Sequence, residues 1–349
     1  MDPIALVPTP DTLPAPAFVF EILGAATLFL HLIAMNVVIG GLLVGGWKLF
    51  RPRTSTKSPF WKGLPHTLAL AINLGVAPLL FLQVTWGTHF FTSSVIMAVP
   101  WLLVVPTLIL AYYGLYGVQA GWAQKVSAPV VALLLLCIAF VLVNNMTLML
   151  EPGRWIVYER ARDGLSLNLS MPLVWPRFLH FVVACVAVGG LFQAVQEGWR
   201  RWRHNTVVRE RRARGLRIFA WATKVQILVG IVQIVVLPPG LRSQFLGKDL
   251  LLTGLVGLGA LLALGAIVTG QRKLLWPTVG LYLGTMAVMI GLRQALRVAF
   301  QRVPGHLVNL PVETDLGPLL VFLLCFALGL AGVAWMVRLV LRAGREEAA

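Results

Sequence analysis

Charge is what this chain has least of. Of 349 residues, 12% are Asp, Glu, Lys or Arg, while 58% are hydrophobic. The shortage is greatest for acids, with 13 Asp and Glu against 29 Lys and Arg. None lies between Glu21 and Glu151, and none between Asp249 and Glu313. A soluble chain of this length cannot cover its surface with so few charges, whereas a polytopic membrane protein needs no more. The empty stretches also weaken any ion-coupled transporter reading, as does the lack of an inverted repeat or of paired interrupted helices.

Cysteine is scarce too. Cys137, Cys185 and Cys325 are far apart, each in an apolar run, and read as small buried hydrophobes. No CxxCH occurs, which excludes covalent c-type haem on this chain, and no CxxC zinc pattern exists. The N-terminus, "MDPIALVPTPDTLPAPAF", lacks a basic n-region and a small-residue cleavage site. It reads as a retained Pro-rich lead-in, not a signal peptide.

What the chain has is long hydrophobic runs. Spans are expected near 17–47, 66–92, 95–119, 127–149, 176–199, 218–238, 250–270, 274–300 and 317–341. Each is long enough to cross a bilayer, and irregular backbone cannot face lipid, so the expected fold is all-α, a bundle of nine transmembrane helices. The whole of 1–349 is one membrane domain: a lead-in over 1–16, the bundle over 17–341 and a tail over 342–349.

Charge then gives direction. The segments "KLFRPRTSTKSPFWK", "WRRWRHNTVVRERRARGLR", "QRK" and "RLVLRAGREEAA", with the Lys125 turn, hold most of the 29 Lys and Arg and fall on one side. The positive-inside rule puts that side in the cytoplasm and the N-terminus outside, in a prokaryotic inner membrane. The +16 net charge is thus mainly a topology signal and not a mark of nucleic-acid binding. The Arg-rich loop at 200–217 is a candidate contact for anionic lipid.

With this direction, His31, His89 and His180 fall in the outer half of the membrane, and His306 in an outer loop. His66 and His204 read as interfacial residues on the cytoplasmic side. An intramembrane histidine is costly without a partner and is a functional candidate by default. Neutral imidazole suits haem iron, and three such residues on different helices favour ligation over packing. Arg293, Gln294 and Arg297 lie toward the outer end of the eighth span. Haem propionates would be suitable partners there, and snorkelling to the interface is the plainer alternative. The glycines of "IGGLLVGG" and "VAVGG", after His31 and His180, fit either close helix packing or room for a macrocycle.

These residues resemble subunit I of the cytochrome bd quinol oxidases. "LHLIAMNVVIGGLLVGG" matches that family's first helix with its haem-ligating His, here His31. "FLQVTWGTHFF" is similar to the end of its second helix, with His89 where Asn is usual. "RFLHFVVACVAVGGLF" matches its fifth helix, whose His, here His180, ligates the low-spin haem. The departures bear on chemistry. The family's Met ligand in the seventh helix is replaced by Leu255, and its eighth-helix Glu has no counterpart. The third-helix glutamates that supply protons are absent, and the long quinol loop is reduced to "LPPGLRSQFLGKD".

The expectation is therefore a membrane subunit with one or two haem b, held by His31, His180 and His89 as metal ligands, with Arg293, Gln294 and Arg297 around it. It would pass electrons between quinol and an outer redox protein such as a c-type cytochrome, alongside other membrane subunits. Met286 and Met289 are weaker ligand candidates. The outer segment "EPGRWIVYERARDGLSLNLS" is a candidate docking surface. Two alternatives stand: a bd-type quinol oxidase reducing oxygen, which the missing carboxylates disfavour, and a haem-poor scaffold subunit of a respiratory complex.

Overall fold

The computed structural model describes residues 12–49, 59–156, 163–198, 206–302, 311–313 and 316–346. Among them, nine helices are long and apolar enough to cross a membrane, and the chain is an all-α, multi-pass membrane bundle. They are α1 (Ala17–Leu49), α2 (Pro59–Ile96), α3 (Ala98–Ala120), α4 (Gln124–Leu148), α5 (Val174–Gly198), α6 (Thr206–Val235), α7 (Leu250–Gln271), α8 (Leu275–Arg302) and α9 (Leu316–Glu346).

Two helix ends overrun the apolar runs. α2 begins at Pro59, before the hydropathy rises, and α6 at Thr206, twelve residues before its expected span. The Arg-rich start of α6 is a good helix former, so the helix continues out of the apolar layer. Between α6 and α7, a short helix (Pro239–Ser243) and a π turn (Gln244–Lys248) reverse the chain. The Asp249 carboxylate then accepts from the Leu251 and Leu252 amides at 2.9 and 3.1 Å and caps the start of α7.

The interior falls into neighbouring clusters. One lies among α1, α2, α3 and α4, around Ile39, Leu68, Leu115 and Leu135, and takes in Cys185 of α5. Another joins α5, α6, α7 and α8 around Leu191, Phe219, Ala266 and Leu275. Helix association in lipid has little hydrophobic driving force and relies on close packing. The crossing of α1 and α5 supplies that closeness. A Cβ on Gly40 would lie 2.7 Å from the Gly189 nitrogen, and one on Gly190 would lie 2.8 Å from the Gly215 oxygen of α6. These glycines of the two Gly-rich stretches are thus used up in helix crossings.

α9 stands at the edge. Its Phe322 meets Phe81 of α2 with ring centroids 4.8 Å apart, while most of its described length is exposed. A single parallel bridge ties Leu13 to Val312: the Leu13 amide donates to the Pro311 oxygen at 2.8 Å, and the Glu313 amide donates to the Leu13 oxygen at 2.9 Å. α1 and α9 therefore start at the same face, as an alternating path of nine helices requires. This is called the N-terminal face below.

Candidate functional site

His31 lies fourteen residues into α1, about 21 Å along the helix at 1.5 Å per residue. It is half-buried against α2, where its Nδ1 is 2.8 Å from the Ala71 oxygen. The carbonyl can only accept, so Nδ1 carries the proton and Nε2 is left as the ring's lone-pair donor. Gly75 makes room for the ring: a Cβ there would lie 2.7 Å from Cε1 and 2.8 Å from Nδ1.

His180 is six residues into α5 and His89 seven from the end of α2, about 9 and 10 Å along their helices from the N-terminal face. They share a level, and His31 lies roughly 10 Å further along its own helix. The His180 ring faces α6, with Cε1 3.8 Å from the position of a Gly230 Cβ. Its Nδ1 is buried and has no hydrogen-bond partner among the described residues. That is an uncommon state for a membrane-buried polar atom.

His89 is 4% exposed and wedged between two indoles, Trp86 at 6.0 Å and Trp155 at 5.6 Å between ring centroids, both edge-on. Its Nδ1 is 3.2 Å from the Thr88 hydroxyl. The backbone leaves helical geometry at Trp86 (φ −134, ψ 26), which re-aims the last turns of α2 that carry His89.

Near the same face, three arginines converge. Arg293 of α8 is close enough to act electrostatically on both Arg177 of α5 and Arg297 of α8, and Arg177 acts on Arg297 as well. Glu21 of α1 is the carboxylate that acts on Arg297 with opposite sign. Arg297 is 8% exposed, donates to the Gln294 oxygen at 3.0 Å and lies 5.9 Å over the Trp86 ring. Among the described residues none of the three makes an ion pair within bonding distance. Like charges gathered away from water repel strongly unless an anion joins them.

The structure thus brings Arg293, Gln294 and Arg297 together with Trp86, and through Trp86 with His89. His180 stands three residues beyond Arg177 on α5. His31 faces α2 instead. Among the described residues, no group of three or more His, Cys, Asp or Glu is gathered as for a metal ion. Met286 accepts from the Tyr282 hydroxyl at 3.1 Å, and the Met289 methyl lies at Gly259 of α7, so packing occupies both. His66 is exposed, and His204 and His306 lie outside the described residues. Of the docking segment, Pro152–Arg154 forms a short 3₁₀ turn in which Arg154 pairs with Glu151 and donates to Ser170 at 2.7 Å. Residues 157–162 lie outside the description.

Sequence reasoning missed Arg177, Glu21, Trp86, Asn144 and Asn145. The two asparagines are fully buried near the end of α4, each with its side-chain oxygen lacking a partner among the described residues. Polar residues in an apolar run were a usable signal for this pair. No family model, curated protein or solved structure matches the chain.

Proposed function

We propose that this chain is a b-haem membrane subunit that passes electrons between a quinol pool and a redox protein on the outer face of a prokaryotic cytoplasmic membrane. The N-terminal face would be the outer one. The observation that carries this reading is the unpartnered Nδ1 of His180, three residues from Arg177, which forms a cluster of arginines with Arg293 and Arg297 of α8 on which Glu21 acts as the carboxylate.

The donor set fits haem b in kind, because one ligand would answer both deficits: a metal for the imidazole and carboxylates for the guanidiniums. When bound, haem b supplies one-electron oxidation and reduction. His180 would hold the iron. His89, at the same level, would be a candidate for a second imidazole. His31, its Nδ1 held by Ala71, presents Nε2 to any ligand in the middle of the bundle. Arg177, Arg293 and Arg297 would neutralise carboxylates, with Gln294 holding Arg297 in place. The chain supplies no carboxylate between Glu21 and Glu151 to carry protons inward, which favours electron transfer over oxygen reduction.

A second reading, a haem-poor scaffold subunit, draws on the Gly40–Gly189 crossing, which gives these glycines a packing role without any macrocycle. The two separate on haem content. Pyridine haemochrome assay of the purified chain should give one or two haem b per chain, with His180→Ala losing at least one and exposed His66→Ala losing none. Wild-type haem content in His180→Ala would refute the ligand assignment.

A further inference from the structure

The face opposite the N-terminus carries a surface that the electron-transfer reading does not use. Arg217, Trp221, Lys224 and Leu228 of α6 follow one another at spacings of four, three and four residues, so they form one stripe along the helix. Arg217 is exposed, Trp221 is 66% exposed and Leu228 is 63% exposed, whereas Phe219 and Ala222 of the same turns are buried in the bundle. The stripe therefore points away from the protein, into the lipid.

Its order along the membrane normal is specific. Arg217 stands where the apolar run of α6 begins, and the aliphatic Leu228 and Val232 continue the stripe toward the membrane centre. Between them the Lys224 ammonium lies 4.2 Å over the Trp221 ring. Side chains on a helix tilt toward its N-terminus, so Lys224 reaches back from the apolar layer toward the level of Arg217. An indole with a cation on its face, at the edge of the apolar layer, is a pairing suited to headgroup depth.

The α7–α8 turn stands at the height of this stripe. Gly270 packs against Leu216, Phe219 and Ala220, with its Cβ position 3.5 Å from the Phe219 ring, and so holds the turn at the same height on α6. Arg272 and Lys273 in that turn are both exposed, and Trp276 after it is 55% exposed. By contrast, Arg211 further out on α6 already has Glu197 as a partner at 3.8 Å.

We infer that Arg217, Trp221 and Lys224 of α6, with Arg272 and Lys273 of the α7–α8 turn, form a binding site for the phosphate headgroup of an anionic phospholipid, whose acyl chains lie along Leu228 and Val232. The charge is complementary, the depth is that of the headgroup, and the aliphatic continuation of the stripe suits a lipid and not a free anion.

The test uses the full-length chain, purified in detergent and stripped of lipid. It is titrated separately with phosphatidylglycerol, phosphatidylcholine and inorganic pyrophosphate. Thermal midpoint and lipid retention in native mass spectrometry are the readouts. Phosphatidylglycerol should be retained and raise the midpoint, while the other two do neither. Its affinity should fall about fivefold for each of Arg217→Gln, Lys224→Gln and Arg272→Gln, and stay unchanged in Arg338→Gln on α9. Equal binding of phosphatidylcholine would overturn the site, and pyrophosphate matching the lipid would make it a free-anion site. If Arg217→Gln or Lys224→Gln fails to fold, Arg272→Gln alone, in an exposed turn, decides the matter, and no change in its affinity would count against the inference.

Discussion

Gly40 of α1 and Gly189 of α5 meet main chain to main chain: a Cβ on Gly40 would stand 2.7 Å from the Gly189 nitrogen. No side chain at the far end of a rotamer can move aside there, because the obstacle is backbone. Gly40→Leu should therefore cost about 3 kcal/mol or prevent folding, the upper range for overpacking a tight contact. Gly291→Leu, at an exposed site with nothing within 4 Å, should leave stability nearly unchanged. Thermal unfolding in detergent compares the two, and equal midpoints would contradict the crossing.

Gly75 gives a milder and more informative change. Gly75→Ala places a methyl 2.7 Å from His31 Cε1, so the ring must shift and the 2.8 Å bond to Ala71 is lost. The expected cost is about 1 kcal/mol, that of one hydrogen bond. If His31 ligates haem, the same variant also alters the visible spectrum. Gly254→Ala, facing open space, should do neither.

The arginines predict a change of sign. In haem-free protein, Arg177→Gln removes a repelling charge from Arg293 and Arg297 and should raise the thermal midpoint. In haem-loaded protein the same variant should lower the midpoint and speed haem loss. Glu21→Gln should lower the midpoint of the haem-free chain, because it removes the carboxylate that acts on Arg297 with opposite sign. A drop for Arg177→Gln in both states would mean that its packing outweighs its charge.

The Leu13–Val312 bridge tests topology. Leu13→Cys with Val312→Cys should form a disulfide within one chain, since the backbones already exchange bonds at 2.8 and 2.9 Å. An impermeant maleimide should label Val312→Cys alone, at a position 47% exposed, in intact cells if that face is the outer one. Labelling only after lysis would reverse the proposed orientation.

The spans were legible because each is a long apolar run, and that signal needs no partner. Helix ends were less so: the start of α6 at Thr206 lies in an Arg-rich stretch that hydropathy scores as loop, although helix formation continues through it. The same limit applied to the site. His31, His89, His180, Arg293 and Arg297 stood out as ionisable residues in apolar sequence. Arg177 did not, because a cation three residues into a helix reads as interfacial until α8 is seen beside it. The glycines after His31 and His180 suited two roles equally in sequence, and the identity of the facing atoms decided for packing at Gly40, Gly189 and Gly190. The three histidines also read as sharing the outer half of the membrane, whereas helix boundaries put His31 about 10 Å further along than the other two.

The most direct test of the central claim is a dithionite-reduced minus oxidised spectrum of the purified chain, recorded with and without carbon monoxide and repeated on His180→Ala. The account predicts sharp b-type bands that carbon monoxide leaves unmoved and that weaken in His180→Ala. A chain without visible absorption, or one whose bands persist unchanged in His180→Ala, would contradict it.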